Sequence, residues 1–222
     1  MSASYDDLRR RYFRLLRRED YAVVLDYKPQ GNPFDRHRRH RNRPIAQAIG
    51  TRYFTLMEFY PVPGVDLRPL EKVYMGFRLK ELRDKVEYVC DDPVTYEDLT
   101  DYAKGILPEA VKKIVTENER VFVEFFNIAQ PISVRLHTLE LLPGIGKKKL
   151  WKILEEREKE PFKSFEDIKN RTHIDPVKLL VERIVKEIEG EERYYLFIIP
   201  LTPPLSARIL NYLDIIYKRL GY

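Results

Sequence analysis

The spacing of apolar residues changes its period at Asp91-Asp92-Pro93, and no other feature restricts the fold of this chain as much. Before that point come five short runs of β-branched and aromatic residues: Tyr21 to Tyr27, Ile45 to Ile49, Thr51 to Pro61, Glu71 to Phe77 and Lys85 to Val89. Pro, Gly, Asn and Asp separate them, so each reads as a strand ending in a turn. Five short strands in sequence predict a small closed barrel, and the five-stranded OB type is the version stable at this size. Beyond Pro93 the spacing is helical, over Tyr96 to Ile106, Pro108 to Asn118, Arg120 to Ala129, Thr138 to Leu142, Lys148 to Glu158, Ser164 to Arg171 and Asp175 to Glu189. Tyr194 to Ile199 reads as one more strand, and Leu205 to Leu220 as a closing helix. The predicted class is α+β, an OB-like barrel followed by a helical unit.

Charge is distributed unevenly along this frame. Up to Arg52 there are 13 Lys and Arg against 6 Asp and Glu, a net of +7, which leaves a net of −2 for the rest of a chain that totals +5. Tyr5, Leu8, Tyr12 and Leu15 fall on one face of a short helix, with six arginines around it, so residues 1–19 read as a basic arm. A local excess of this kind is the usual footprint of a polyanionic partner. The 34% of charged residues, with a single cysteine, suits the ion-pair-rich surface of a thermophile. That lone Cys90 excludes an internal disulfide framework and reads as a small buried apolar residue. With no apolar run of membrane-spanning length and no apolar leader, the chain is expected to be cytoplasmic and to have no membrane partner.

Leu141-Leu142-Pro143-Gly144-Ile145-Gly146-Lys147-Lys148-Lys149-Leu150-Trp151-Lys152-Ile153-Leu154 carries the most specific signal. Pro143 ends a first helix, because the residue before a proline is pushed out of helical geometry. Gly144 and Gly146 can take positive φ and leave the backbone bare, while Ile145 anchors the turn. The orphan N–H groups of the following helix, with Lys147, Lys148 and Lys149, then face an incoming phosphate. A plain glycine-rich connection between helices is the competing reading, and the matched apolar flanks and triple lysine weigh against it.

This segment resembles the helix-hairpin-helix motif of DNA-repair and competence proteins. Pro161 to Ile168 resembles the stretch leading to a second hairpin in tandem domains, but Thr172-His173-Ile174-Asp175-Pro176 lacks both glycines, so the second turn is expected to keep only a packing role. The order of barrel, Phe125-Phe126-Asn127 helix, Leu136 to Lys149 hairpin and final strand resembles an archaeal family of uncharacterised proteins, described as RNA-binding or nucleotide-binding. That likeness spans Glu19 to Ile199 and implies an OB-like barrel in 20–92 and a helical domain in 93–199 with its helix-hairpin-helix at 138–158; the basic arm and the C-terminal helix in 200–222 lie outside it as extensions. It implies no enzyme activity.

Residues 35–43 place Arg36, Arg38, Arg39, Arg41 and Arg43 with two histidines between the first two strands, where OB folds meet oligonucleotides. Guanidinium groups suit phosphate and stack on bases, and such segments order on RNA; without ligand the loop is expected to be solvated. His37-x-x-His40 invites a metal reading, but no carboxylate or thiol with ligand spacing accompanies it and the surrounding charge opposes a cation, so no metal or cofactor is expected. Tyr53, Phe54, Phe59 and Tyr60 are core residues or stacking platforms.

Two classes of function follow. The first is a non-catalytic protein that binds structured RNA, ribosomal or precursor RNA by preference and DNA as the alternative, through backbone phosphates; about 6–8 neutralised phosphates would give a salt slope of about −5 to −7. The second is a DNA repair or recombination factor, or a helix-hairpin-helix nuclease or glycosylase. Asp167 stands at glycosylase spacing from the hairpin, but Ser164 to Asp167 reads as a helix cap; Asp91-Asp92 and Glu97-Asp98 are the carboxylates available to a metal nuclease. A second apolar side on Leu205 to Leu220 packs inward or meets a protein partner.

Overall fold

The computed structural model describes residues 4–35, 38–190 and 192–222. Strands β1 (Tyr21–Lys28), β2 (Ile45–Gly50), β3 (Leu56–Pro61), β4 (Lys72–Tyr74) and β5 (Val86–Val89) form one antiparallel sheet in the order β4-β1-β2-β3-β5. The sheet curls into a half-barrel, and among the described residues its edge strands β4 and β5 do not pair with each other. Every residue of β2 and β3 is buried, so these central strands are covered on both faces. Helix α2 (Asp101–Glu117) lies against β1 and α6 (Pro176–Glu189). Around these stand α3 (Glu119–Ile128), α4 (Lys147–Lys159) and α5 (Phe165–Thr172), with the small pairs β6 (Pro131–Ser133) with β7 (Leu136–His137) and β8 (Tyr194–Tyr195) with β9 (Arg208–Ile209).

Several sequence expectations need correction. The basic arm is a docked helix, α1 (Tyr5–Leu16), capped by Ser4: Tyr12 and Leu16 are buried, and the Tyr12 hydroxyl donates to the Leu56 carbonyl at 3.0 Å. Tyr96 to Ile106 and Pro108 to Asn118 are not two helices, since α2 runs through Pro108. Pro108 is exposed, so the carbonyl it leaves without a helical partner lies toward water, while Ala103, Leu107, Ala110, Val111 and Ile114 hold the inner face. The strand expected from Thr51 begins only at Leu56, because the buried Glu19 carboxylate accepts from the amides of Arg52, Tyr53 and Thr55 at 2.8, 2.9 and 3.2 Å.

At the other end, Tyr194 to Ile199 contributes only a two-residue strand. The amides of Leu196, Phe197 and Ile198 donate to Glu187 at 2.7, 2.9 and 2.9 Å, so a carboxylate replaces a strand partner. The closing helix is α7 (Tyr212–Leu220), starting seven residues later than expected, and Leu205 lies fully exposed outside it. Its Tyr212, Leu213, Ile216 and Tyr217 are buried, and the Tyr217 hydroxyl donates to the Arg52 carbonyl at 2.8 Å, so its main face packs inward.

One apolar cluster joins the sheet, through Val23 and Phe59, to the helices, through Phe122, Phe125, Ile153, Ile184 and Leu213. Residues 20–92 and 93–199 therefore share a core, with the rings of Phe54 and Phe122 6.1 Å apart. No helix among the described residues is long and apolar enough to cross a membrane.

Candidate nucleic-acid interface

The glycine turn is built from both sides by packing. A single 3-10 turn, Thr138–Leu141, precedes it in place of the expected α-helix, with His137 capping it by accepting from the Leu139 amide at 3.1 Å. Leu142 and Ile145 are buried, 1% and 5% exposed, and pin the turn to the core, while Gly144 and Gly146 between and beyond them are exposed. Gly144 has φ +76°, the left-handed region that disfavours a side chain, but Gly146 is extended with φ −93° and ψ 178°, so only the first glycine is required by its own conformation. A Cβ added at Gly146 meets nothing within 4 Å, and one at Gly144 meets only Lys149 Nζ at 3.9 Å. The outer face of the turn is open. Helix α4 begins there with no side-chain cap, so its first amides are orphans pointing at solvent.

The three lysines differ in how they stand around that opening. Lys147 donates to Glu140 at 2.9 Å and to the Arg135 carbonyl at 3.1 Å, and Lys149 donates to the Gly144 carbonyl at 2.9 Å. Burial opposes ionisation of Glu140, but Lys147 and the His137 amide outweigh it and hold the carboxyl below its usual range. Lys148 has no hydrogen-bond or ion-pair partner among the described residues. One turn further on, Trp151 is 61% exposed. It was not singled out as a site residue from sequence, because a Trp among leucines and isoleucines reads as core; only the phase of α4 puts it outside while Leu150 and Ile153 point in.

Behind the turn, Glu156 is held by Lys159 at 2.7 Å, Lys152 at 3.0 Å and Arg171 of α5 at 3.5 Å. The lysines draw its pKa from 4.5 down to about 2. A carboxyl whose folded pKa is depressed stabilises the fold above its unfolded value and loses that contribution as pH falls through the folded one. The stability gap between the wild type and Glu156→Gln is therefore expected to close between about pH 4.5 and pH 2, which parallel denaturant titrations at several pH values will read.

The second turn has the same skeleton and the opposite chemistry. His173, at φ +60°, takes the left-handed position and Ile174 is buried like Ile145. Asp175, however, caps α6, accepting from the Lys178 amide at 3.1 Å, and Pro176 follows it. A carboxylate already occupies the place an anion would take. Asp167 accepts from the Lys163 amide at 3.0 Å and from Arg171 at 3.1 Å, which gives it a structural role.

The described arginines of the loop are exposed, as the sequence implies, but three of them are tied to acceptors of the chain itself and the loop has a buried anchor. Arg36 and His37 lie outside the described residues. His40 is wholly buried, between Asp35 at 3.2 Å and Glu58 at 3.1 Å, and the loop folds back through the Asn32 amide, which donates to the His40 carbonyl at 2.8 Å. Burial pulls the imidazolium pKa down, but hydrogen bonds to Asp35, Cys90 and Glu58 more than reverse this and raise it to about 12. Arg39 pairs with Asp92; Arg43 pairs with Glu87 at 2.8 Å and lies over the Tyr60 ring, 3.8 Å from its centre; Arg41 donates to the Asp35 carbonyl at 2.9 Å. Arg38 is exposed. The absence of a carboxylate or thiol near His40 is corrected too, for the fold brings Asp35, Glu58 and Cys90 to it. Tyr53, Phe54, Phe59 and Tyr60, at 8%, 2%, 0% and 4% exposure, are core and offer no stacking face. Among the described residues, no hydrogen bond or ion pair joins this loop to the glycine turn.

A curled five-stranded sheet and seven described helices define a mixed α+β protein in which an exposed glycine turn opens α4 without a side-chain cap. The chain belongs to the family described as Protein of unknown function (DUF655), which matches residues 18–199. It is 46% identical over 182 residues to "Uncharacterized protein MJ0038" of Methanocaldococcus jannaschii, covering 81% of this chain and 80% of that one. The crystal structure of Af1531 from Archaeoglobus fulgidus, of the same family, is similar with a TM-score of 0.72 and 44% identity, over 82% of this chain and 100% of that one. Helices α1 and α7 fall outside the family span, yet both are built into the common core.

Proposed function

We propose that this protein binds nucleic acid without chemistry, by presenting the open Gly144 to Gly146 turn and the N-terminus of α4 to a backbone phosphate. The observation that carries the reading is the pairing of an exposed, uncapped helix start with an exposed Lys148 and Trp151 beside it. Orphan amides and the helix dipole favour an anion by ~0.3–1 kcal/mol, a lysine adds charge, and an indole face can stack on a base. The paired turns before α4 and α6, each with a buried isoleucine, support a helix-hairpin-helix assignment. The strand order, with β1 between β2 and β4 and β3 between β2 and β5, supports an OB-like barrel.

Structured RNA, in a ribosomal or precursor context within the cytoplasm, is the ligand to try first, and that preference rests on the family likeness. Duplex DNA is the comparison. Because Arg39, Arg43 and Lys147 are bound to the chain's own acids, fewer phosphates are neutralised than the sequence count suggests. About 3–4 phosphates on a duplex give a slope of log K against log salt near −3 to −4. Anisotropy titrations of a labelled duplex at several salt concentrations measure it.

Trp151, the only tryptophan of the chain, serves as an intrinsic reporter. Saturable quenching of its fluorescence by an RNA hairpin at low salt is expected. No change in Trp151 emission, with no anisotropy change for labelled RNA or DNA, would overturn the proposal. Incubation of labelled RNA and DNA with divalent metal distinguishes the nuclease alternative, which predicts loss of full-length strand.

A further inference from the structure

We infer that Asp35, His40 and Glu58 form a binding site for one divalent transition ion, reached from the acidic cleft between the β1–β2 loop and the start of α2. The three side chains come from distant points of the chain and are 7%, 0% and 4% exposed. Their ligand atoms lie within 4.8 Å of one another, with His40 Nδ1 3.2 Å from Asp35 Oδ2 and 3.1 Å from Glu58 Oε2. Ligand atoms ~2.0–2.1 Å from a tetrahedral ion stand about 3.3 Å apart, so both nitrogen-to-oxygen spacings suit coordination, with the ion taking the place of the proton that His40 Nδ1 shares with the two carboxylates. One imidazole with two carboxylates suits zinc, manganese or iron in the divalent state better than magnesium or calcium, which take oxygen donors alone.

The surroundings supply what ligating groups need. A metal-bound imidazole holds its second N–H on an acceptor, and His40 Nε2 lies 3.7 Å from the buried Cys90 Sγ. The free oxygen of Glu58, Oε1, accepts from Gln47 Nε2 at 2.9 Å, and Gln47 is itself fixed by the Asp98 carbonyl and the Thr100 amide. Arg39 Nε stands 3.3 Å from His40 Nε2; it belongs to a half-exposed side chain paired with Asp92, so it can withdraw when Nε2 donates to sulfur. Asp35 and Glu58 border a cleft with room for about 700 Å³, also lined by Glu97, Asp98, Asp101 and Lys28. Among the described residues the cleft lining holds five carboxylates and one lysine, and three protein donors leave a tetrahedral ion one position for a ligand from the cleft. The single ion is distinct from the phosphate contact at the glycine turn, and neither depends on the other.

The full chain, stripped with chelator and equilibrated with Zn2+, is expected to retain one ion per chain after gel filtration, and Co2+ in its place to give visible d–d absorption. Glu58→Gln and Asp35→Asn are each expected to weaken Zn2+ binding by at least about tenfold. Circular dichroism selects the variants that stay folded, and Lys148→Ala, at the glycine turn, should retain the ion. A wild-type chain that retains no Zn2+ overturns the inference. So does full retention by either folded carboxylate variant, which would place the donors elsewhere; if neither variant folds, a Co2+ spectrum without nitrogen ligation does the same.

Discussion

Gly146→Val is expected to lower affinity for RNA and DNA duplexes by at least about tenfold, equivalent to ~1.4 kcal/mol, while the protein stays folded. The residue is extended, at φ −93° and ψ 178°, which valine adopts readily, and its Cβ would point into open space. Folding therefore loses only the advantage of glycine over valine at a helix cap, about 1 kcal/mol or less. Binding loses more, because the isopropyl group stands in front of the amides of α4 that a phosphate must reach. Gly144→Val is the contrasting variant: at φ +76° a β-branched residue is strained by about 1–3 kcal/mol, so there lost affinity mixes with a distorted turn. Measuring anisotropy and thermal unfolding on both variants separates the effects. Wild-type affinity in folded Gly146→Val would remove this helix terminus from the interface.

The largest stability effect is expected at Glu187, where alanine should cost about 3–5 kcal/mol and lower the melting temperature by on the order of 10 °C. Glu187 is 1% exposed and Arg183 4%, and their side chains meet at 2.8 Å. Removing the carboxylate leaves a buried guanidinium without its main counter-charge and orphans three amides, those of Leu196, Phe197 and Ile198. Arg183 also donates to the Leu141 carbonyl at 3.3 Å, at the entrance to the glycine turn, so the damage reaches the proposed interface. Glu187→Gln keeps an acceptor for the amides and should fall between alanine and wild type. A loss below about 1 kcal/mol for alanine, the range of an exposed ion pair, would show that the pair is solvated in solution.

Strand and helix order was legible wherever local pattern and packing agreed. β1, β2 and β5 fall within a residue or two of their expected bounds, and Ser164 caps α5 as its sequence indicated. The failures share a cause: a partner distant in sequence takes the backbone's hydrogen bonds. Glu19 turns the start of Thr51 to Pro61 into a loop, and Glu187 does the same to Leu196 to Ile198. A lone glutamate in sequence carries no sign that it will be buried against amides 9 to 36 residues away.

By itself the sequence determined the α+β class, the arginine-rich connection between β1 and β2 and the glycine turn with its buried Ile145, since these rest on periodicity and on the conformational range of single residues. Only the tertiary structure decided which charges remain available. Ion pairs and hydrogen bonds tie Arg39, Arg41 and Arg43 to Asp92, the Asp35 carbonyl and Glu87 although all three stay exposed, while Lys148 and Trp151 stand outside with no such tie for the lysine among the described residues, because a side chain's charge is spent on whichever partner the fold places within a few ångströms.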